Sequence, residues 1–311
     1  MTRSARLFLS LAPALLLLLL LASAPYAGAV LAATHTKGGL SVTAPDDMAE
    51  GQPFLVDIRA DGAAKTAAVE WLGKRAEISL VREGGASRAQ VLLGAGLGQV
   101  PGEHMLAVSS DGGRDQVTCT VRVTPGVFPE QRLNLPPKMV TPSKEDQARI
   151  KREQELVAQA VAVASPLRLW NLPLLRPVPG EVTSAFGLRR ILNGQPRSSH
   201  SGLDLDGFKG EPVLAAGQGR VALVGDFYYN GKSAFLDHGN GVFSMYFHLS
   251  AIGVTEGQRV ERGQEIGRVG STGRSTGPHL HFGLKILGQN VDPTSLFEAG
   301  VPLAGGSKGG S

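Results

Sequence analysis

Short runs of β-branched and apolar residues, each closed by glycine, proline or an Asp/Asn turn, recur through most of this 311-residue chain. The 41 glycines and 19 prolines interrupt the sequence too often for long helices, whereas short strands fit between the turns. The pattern therefore predicts a mainly β fold. The length exceeds that of one average domain, and so predicts two folded units.

The first folded unit is predicted at residues 38–125. Strand-like segments such as FLVDIRA, AEISLVRE and QVTCTVRV alternate there with turn residues, which is typical of an immunoglobulin-like β-sandwich. The paired cysteines of antibody domains are missing, so this interpretation depends on the pattern alone. Cys119, the only cysteine, alternates with Val117 and Val121 and is expected as a buried thiol. His104 has no ligand-like neighbour and is interpreted as structural or exposed.

The first residues have the layout of a secretory signal. Arg3 and Arg6 precede the apolar segment LFLSLAPALLLLLLLASA, and small residues follow it. We expect residues 1–32 to be a signal peptide, although a retained anchor is the alternative. A periplasmic or extracellular protein follows, with no stable membrane span after cleavage.

Two segments outside the folded units are predicted as connecting or terminal. Residues 126–178 read as a linker with one helix, SKEDQARIKREQELVAQAVAVA, which Ser143 can cap. Its charged first half favours solvent, and its later half is expected to pack on a neighbouring unit. Residues 301–311 read as a flexible tail. The net charge of +4, without a Lys/Arg run, excludes a nucleic-acid-binding protein as the main interpretation.

The second folded unit is predicted at residues 179–300 and contains two similar segments, GEPVLAAGQGRVALVG and VTEGQRVERGQEIGRVG. They resemble the strand–turn–strand repeat of lipoyl and biotinyl carrier domains. A carrier needs a modifiable lysine at an exposed hairpin tip. Lys209 precedes the first segment and Lys285 falls in the final strand, so the sequence disfavours a carrier.

Two motifs in this unit place metal-ligating side chains on common strand faces. HSGLD puts His200 and Asp204 four residues apart, and hence on one face of an extended segment. Gly202 between them removes a side chain that would crowd that face. PHLHFG puts His279 and His281 on one face in the same way. The alternating apolar residues of that motif are expected to face the core: Leu280, Phe282 and Leu284.

The residue types favour an open zinc site. Two imidazole nitrogens and one carboxylate oxygen form a donor set that suits zinc, with the fourth tetrahedral position left for water. A closed structural site commonly includes cysteine, and the only cysteine lies in the other unit. Water at such a site has a pKa of about 7, and spare histidines can accept its proton and stabilise an oxyanion. Spacing alone does not decide which histidine of the H-x-H pair binds the metal.

The motifs HSGLD, YFHLS and GPHLHFGL resemble those of the lysostaphin-type (LytM-type) zinc metallopeptidases. The flanking segments SAFGLRR, VERGQEIGRVGSTGRSTGPHLHF and VDPTSLF match in order and spacing, so the resemblance covers roughly residues 182–297. It implies an antiparallel β-sheet metallopeptidase domain that holds one Zn²⁺ ion. Carried over to this chain, the metal ligands are His200, Asp204 and His281, and the catalytic partners are His248 and His279.

The resemblance also implies a function. A secreted zinc endopeptidase would hydrolyse peptide stems or cross-bridges of peptidoglycan, and the expected specificity is that of a D,D-endopeptidase. The alternative is a non-hydrolytic or latent regulator of another cell-wall hydrolase. The N-terminal unit is a candidate surface for a regulatory protein partner in either case. Intact motif residues count against the alternative.

Seven further residues of this unit have other expected roles. His238 is expected to be structural, and Asp206 either binds an imidazole or is an exposed turn carboxylate. Arg189 and Arg190 are candidates for binding substrate carboxylates. Three tyrosines are equally compatible with a substrate groove and with packing: Tyr228, Tyr229 and Tyr246.

Overall fold

The computed structural model describes residues 32–110, 114–134, 141–162 and 165–297. Within these ranges the chain is mainly β, as the spacing of turn residues predicted. The predicted signal segment before residue 32 and the predicted tail from residue 301 lie outside the described residues. Within the described ranges, no helix has the length and apolar character that crossing a membrane requires.

Ten strands form two five-stranded sheets in the N-terminal part. The first sheet has the order β1-β2-β4-β8-β7 and the second β3-β10-β9-β5-β6. Neighbours are antiparallel except for β3 and β10, which are parallel. The strands are β1 (Ala32–Lys37), β2 (Leu40–Pro45), β3 (Asp47–Ala49), β4 (Pro53–Asp61), β5 (Thr66–Trp71), β6 (Lys74–Ser79), β7 (Val81–Glu83), β8 (Ala86–Gly94), β9 (Gly102–Ser110) and β10 (Asp115–Thr124).

The two N-terminal sheets share one buried cluster. Val56 from the first sheet and Val69 and Val121 from the second belong to it, all fully buried. Cys119 lies in the same cluster, and burial raises the pKa of its thiol to about 11. The thiol is therefore a core group, as its alternation with valines predicted.

Thirteen strands and a short helix make up the C-terminal part. Its main sheet is antiparallel, with the order β12-β15-β23-β19-β18-β17-β21 and with β24 also paired to β23. A smaller sheet has the order β16-β22-β20. The elements are β12 (Val182–Ser184), β13 (Arg189–Leu192), β14 (Gln195–Pro196), β15 (Gly202–Asp206), β16 (Pro212–Leu214), β17 (Gly219–Phe227), β18 (Gly231–Asp237), β19 (Val242–Leu249), β20 (Ala251–Ile252), β21 (Arg259–Val260), β22 (Glu265–Arg268), β23 (His279–Ile286), β24 (Gln289–Val291) and a helix at Thr294–Phe297. The two similar segments of the sequence pair with each other, through β16–β22 and β17–β21.

The main sheet buries different residues on its two faces. Leu280, Phe282 and Leu284 of β23 are fully buried in the larger C-terminal cluster, which confirms the alternation predicted for this strand. The opposite face carries Met245 and Phe247, which belong to a smaller cluster. The candidate site lies on this second face.

The connector contributes a strand, β11 (Glu130–Leu133), and a helix, α1 (Lys144–Ala160). Ser143 caps the helix, because its Oγ accepts a hydrogen bond from the Asp146 N–H at 3.1 Å. Val157 and Ala160, in the later half of the helix, pack against the small cluster of the main sheet, as expected. Strand β11 was not predicted from the sequence, and it pairs in parallel with β13.

The two parts of the molecule are in direct contact. Leu55 and Leu92 of the first N-terminal sheet are buried in the same cluster as the C-terminal core. The Asp292 N–H donates to the carbonyl oxygen of Gly51 at 2.7 Å. A shared core therefore joins the N-terminal sheets to the sheet that carries the candidate site.

Candidate active site

Three side chains of the HSGLD and PHLHFG motifs converge on the second face of the main sheet. Strand β15 pairs with β23 so that Asp204 is directly opposite His281, and His200 lies just before β15. His200 Nε2 is 2.9 Å from Asp204 Oδ1 and 2.9 Å from His281 Nδ1. His281 Nδ1 is 2.8 Å from the same carboxylate oxygen. Two ring nitrogens and one oxygen thus surround a single point.

Gly202 makes this convergence possible. A Cβ atom at this position would lie 2.7 Å from His281 Nε2 and 2.4 Å from the carbonyl oxygen of Phe282. Both distances are too short for any side chain. The glycine of HSGLD therefore permits close approach of the two strands, as the sequence indicated.

Neighbouring groups fix the orientation of the two imidazoles. His200 Nδ1 lies 2.8 Å from the Ala185 carbonyl oxygen, so this nitrogen carries the proton and donates it. Its Nε2 then presents a lone pair to the centre of the site. The ring of His281 stacks on that of Phe247, with centroids 5.1 Å apart and planes inclined by 3°.

The site is buried and its carboxylate is held ionised. Burial by itself would raise the pKa of Asp204, but the close contacts with His200 and His281 outweigh it and hold this pKa below its usual range. Arg190 adds an ion pair, with a guanidinium nitrogen 3.1 Å from Asp204 Oδ2. Burial lowers the pKa of His281 to about 4, so its ring is neutral near pH 7. An anionic oxygen and a neutral imidazole are protonation states that suit a divalent cation.

His248 enters the site through an irregularity in β19. Ala234 pairs with Tyr246 and Lys232 with Leu249, so Phe247 and His248 together face one residue of β18. Such a β-bulge re-aims the side chain that it carries. His248 also has a left-handed backbone, with φ of +64°, which is rare outside glycine. Its ring consequently lies 4.9 Å from the ring of His279, between centroids.

Backbone carbonyl groups set the tautomers of both neighbouring histidines. His248 Nδ1 lies 2.8 Å from the Thr272 carbonyl oxygen, and His279 Nδ1 lies 3.0 Å from that of Gly277. Each Nδ1 therefore carries the proton, which leaves each Nε2 as an acceptor. Burial, reinforced by the nearby histidines, lowers the pKa of His248 to about 3. His279 Nε2 is 3.8 Å from Asp204 Oδ1, close to the three converging side chains.

These residues line a cleft of about 330 Å³. Its walls include residues from three further parts of the chain: the connector supplies Gln131 and Leu133, β13 supplies Arg190 and Leu192, and the turn before β23 supplies Arg274. The connector residues and Arg274 were not singled out in the sequence. The glycine-rich segment GSTGRSTG next to the H-x-H motif was the available signal for Arg274.

Two other candidates from the sequence, His238 and Tyr246, lie in the buried core. His238 is fully buried, and its Nδ1 and Nε2 are both 2.7 Å from partners, the Gln218 carbonyl oxygen and Ser244 Oγ. Tyr246 is fully buried too, and its hydroxyl accepts from the Ala216 N–H at 2.8 Å, so it packs in the core and not in the groove.

Of the arginine and acidic candidates, some lie at the site and others do not. Arg190 reaches Asp204, whereas Arg189 is exposed and donates through Nε to the Phe128 carbonyl oxygen at 3.1 Å. Asp206 lies at the cleft with an exposed side chain. Tyr229 lies beneath Arg274, whose guanidinium carbon is 4.2 Å from the ring centroid.

An antiparallel β-sheet with a buried His–Asp–His donor set and two further histidines in one cleft defines a metallopeptidase. A family model described as peptidase family M23 matches residues 198–293, which include all five of these side chains. A Pseudomonas aeruginosa protein, assigned to peptidase M23 in the description of its crystal structure, is 33% identical. The alignment covers 78% of this chain and 93% of that one, with a TM-score of 0.61. The chain belongs to peptidase family M23.

Two curated relatives carry more specific names. The peptidoglycan DD-endopeptidase ShyA of Vibrio cholerae is 40% identical over 124 residues, which are 40% of this chain and 28% of that protein. The DD-carboxypeptidase/endopeptidase Mpg of Neisseria meningitidis serogroup B is 42% identical over 115 residues, which are 37% of this chain and 26% of that protein. The chain therefore matches only about a quarter of the length of these relatives.

Proposed function

We propose that this protein is an exported, zinc-dependent endopeptidase that hydrolyses peptide cross-links of peptidoglycan, with D,D-endopeptidase specificity. The convergence of His200 Nε2, Asp204 Oδ1 and His281 Nδ1 within 2.8–2.9 Å of one another carries the proposal. The names of the curated relatives support the substrate. The basic and apolar N-terminal segment supports export to the periplasm or the cell exterior.

The donor set fits one zinc ion. Ligand atoms around a tetrahedral zinc at about 2.0–2.1 Å are roughly 3.3 Å apart, a few tenths of an ångström more than the separations in this site. His200 Nε2, Asp204 Oδ1 and His281 Nδ1 would hold the ion, with the cleft side open for water. When bound, zinc supplies Lewis-acid chemistry, which activates water and polarises a peptide carbonyl group.

His248 and His279 would handle the protons. In the neutral ring of each, Nε2 is the proton acceptor, because a backbone carbonyl engages the Nδ1–H. Such a nitrogen can accept a proton from the attacking water, and the protonated ring can return it to the leaving amine. The partner ring can stabilise the oxyanion by donating a hydrogen bond. The intact donor set and these two acceptors favour hydrolysis over a purely regulatory role.

Zinc content and muropeptide release test the proposal together. Purified protein should contain one zinc per chain and convert cross-linked muropeptides to monomers, as followed by chromatography and mass spectrometry. A chelator should abolish this activity, and added zinc should restore it. Stoichiometric zinc without cleavage of any peptidoglycan preparation would contradict the enzymatic proposal and would favour the regulator.

A further inference from the structure

Arg274 lies in the turn that precedes β23 and lines the same cleft as His248, His279 and His281. Its backbone N–H donates to the Tyr229 carbonyl oxygen at 2.8 Å. Its guanidinium group lies over the Tyr229 ring, with the central carbon 4.2 Å from the ring centroid. The turn and the aromatic ring together hold this cation at the cleft wall.

No acidic side chain in the part of the chain that the structure describes pairs with the charge of Arg274. Among the described residues, none of the ion pairs involves its guanidinium group. Burial lowers its pKa, Tyr229 partly offsets this effect, and the charges of Arg190 and Arg197 lower the pKa further. Three guanidinium groups therefore act on the same region, and a half-buried cation there is costly unless an anion compensates it.

Arg190, the other cation of the cleft, is already engaged. It donates to Asp204 Oδ2 at 3.1 Å, to Ser184 Oγ at 3.4 Å and to Gln131 Oε1 at 3.3 Å. These contacts give Arg190 a positioning role toward Asp204. Arg274 is the guanidinium group left to receive an anionic ligand, and such groups bind carboxylates through two parallel hydrogen bonds.

We propose that Arg274 binds a carboxylate of the substrate beside the scissile amide and so selects the type of cross-link. This inference rests on the proposed function. In a D-alanyl to diaminopimelate cross-link, the carbon that carries the scissile nitrogen also carries a carboxylate. Lysine-linked and glycine-bridged cross-links have no carboxylate on that carbon. Arg274 would therefore favour diaminopimelate cross-links.

Matched muropeptide dimers test the inference. The specificity constant kcat/KM is measured on one dimer with this carboxylate free and on a second with it amidated. For the free carboxylate, Arg274→Gln should lower kcat/KM about 10- to 100-fold, as expected for one charge-assisted hydrogen-bonded contact. For the amidated dimer, the same variant should stay within about threefold of the wild type. Arg274→Lys should recover part of the loss.

Arg82→Gln is the matched control, because it removes the same charge from an exposed position on β7 in the N-terminal sheets. This control should leave kcat/KM unchanged on both dimers. The inference would be overturned if Arg274→Gln lowered kcat/KM equally on both dimers or on neither of them.

A binding measurement separates this inference from the proposed function. The dissociation constants of the free and amidated dimers are compared for the wild type and Arg274→Gln by calorimetry in the presence of a chelator. The role of Arg274 is supported if Arg274→Gln weakens binding of the free-carboxylate dimer and not of the amidated dimer. This holds even if the wild type cleaves neither dimer. If the zinc-bound protein cleaved neither dimer, only the proposed function would be refuted. If the wild type and Arg274→Gln bound the free-carboxylate dimer equally well, only the inference would be refuted.

Discussion

His279 and His281 have different proposed roles although they are two residues apart on one strand face. Nδ1 of His281 lies at the converging donor set, whereas Nδ1 of His279 donates to the Gly277 carbonyl group and leaves Nε2 toward the cleft. The proposed metal ligand and the proposed proton acceptor therefore lie side by side. The distinction depends on ring rotation, which strand periodicity does not specify.

Substitution of each histidine tests this division. His281→Ala should lose zinc and activity together, because one of three protein ligands is removed. His279→Ala should keep zinc and lose about two to four orders of magnitude in kcat, as is typical for a general acid–base group. Metal analysis and steady-state kinetics on both variants check the expectation. The assignments would be exchanged if His279→Ala emptied the site and His281→Ala left it filled.

Gly202 provides a second test at the residue scale. Gly202→Ala places a Cβ atom against the Phe282 carbonyl oxygen and the ring of His281, so β15 and β23 must separate. Zinc affinity should fall about 10- to 100-fold, a loss typical of disturbed ligand support. Competition with a chromophoric chelator measures it. Gly253→Ala is the control, because its Cβ would lie no closer than 3.4 Å to any atom, and an equal effect of both variants would contradict the argument.

At the element scale, the end of β18 and the middle of β19 enclose a buried polar pair. His238 bonds to Ser244 Oγ through Nε2, and Ser244 Oγ is 2.9 Å from the Tyr246 hydroxyl. Burial lowers the pKa of His238, and its Nδ1 hydrogen bond and the neighbouring Asp237 only partly offset this. The folded protein therefore holds this ring neutral.

This neutral ring makes stability depend on pH. Between the lowered pKa and the ordinary value of about 6.5, the unfolded chain binds a proton that the folded protein excludes. The contribution is complete above pH 6.5 and declines as pH falls below it. Urea unfolding at pH 7.5 and 5.5 should show lower stability at 5.5, with a smaller difference in His238→Gln. Equal pH dependence in the two proteins would disprove this account.

Elements were predictable from the sequence to different extents. The faces of β23 and the cap of α1 follow from local spacing and were predicted correctly. The YFHLS resemblance placed His248 at the site, but local spacing could not derive this position, because it depends on a bulge against β18. Arg274 and β11 escaped notice for a related reason: a turn and a strand pairing between distant segments place them at the cleft. The immunoglobulin-like label for the N-terminal sheets stays a prediction.

At the scale of the whole molecule, the N-terminal sheets and the C-terminal sheet share buried side chains. Leu55 and Leu92 are each 1% exposed and belong to the cluster that also contains Leu284 and Val291. Because this core crosses the boundary, the two parts should unfold cooperatively.

Leu92→Ala tests the coupling. It should cost about 2–5 kcal/mol of unfolding free energy, since it creates a cavity in the shared core. Calorimetry should show one transition in the wild type and a lower midpoint in the variant. Val100→Ala, at an exposed position, should change stability by less than about 0.5 kcal/mol. Two separate wild-type transitions, with only one displaced by Leu92→Ala, would refute the coupling.

Strand β11 has a consequence for dissecting this protein. A fragment that begins near Pro179, at the predicted linker boundary, would lack β11 and leave that edge of β13 unpaired. It would also lack Gln131 and Leu133, which line the cleft. Arg190 would then lose one of its three tethers beside Asp204. We therefore expect the smallest competent fragment to begin upstream of Glu130, because the connector supplies part of the cleft wall.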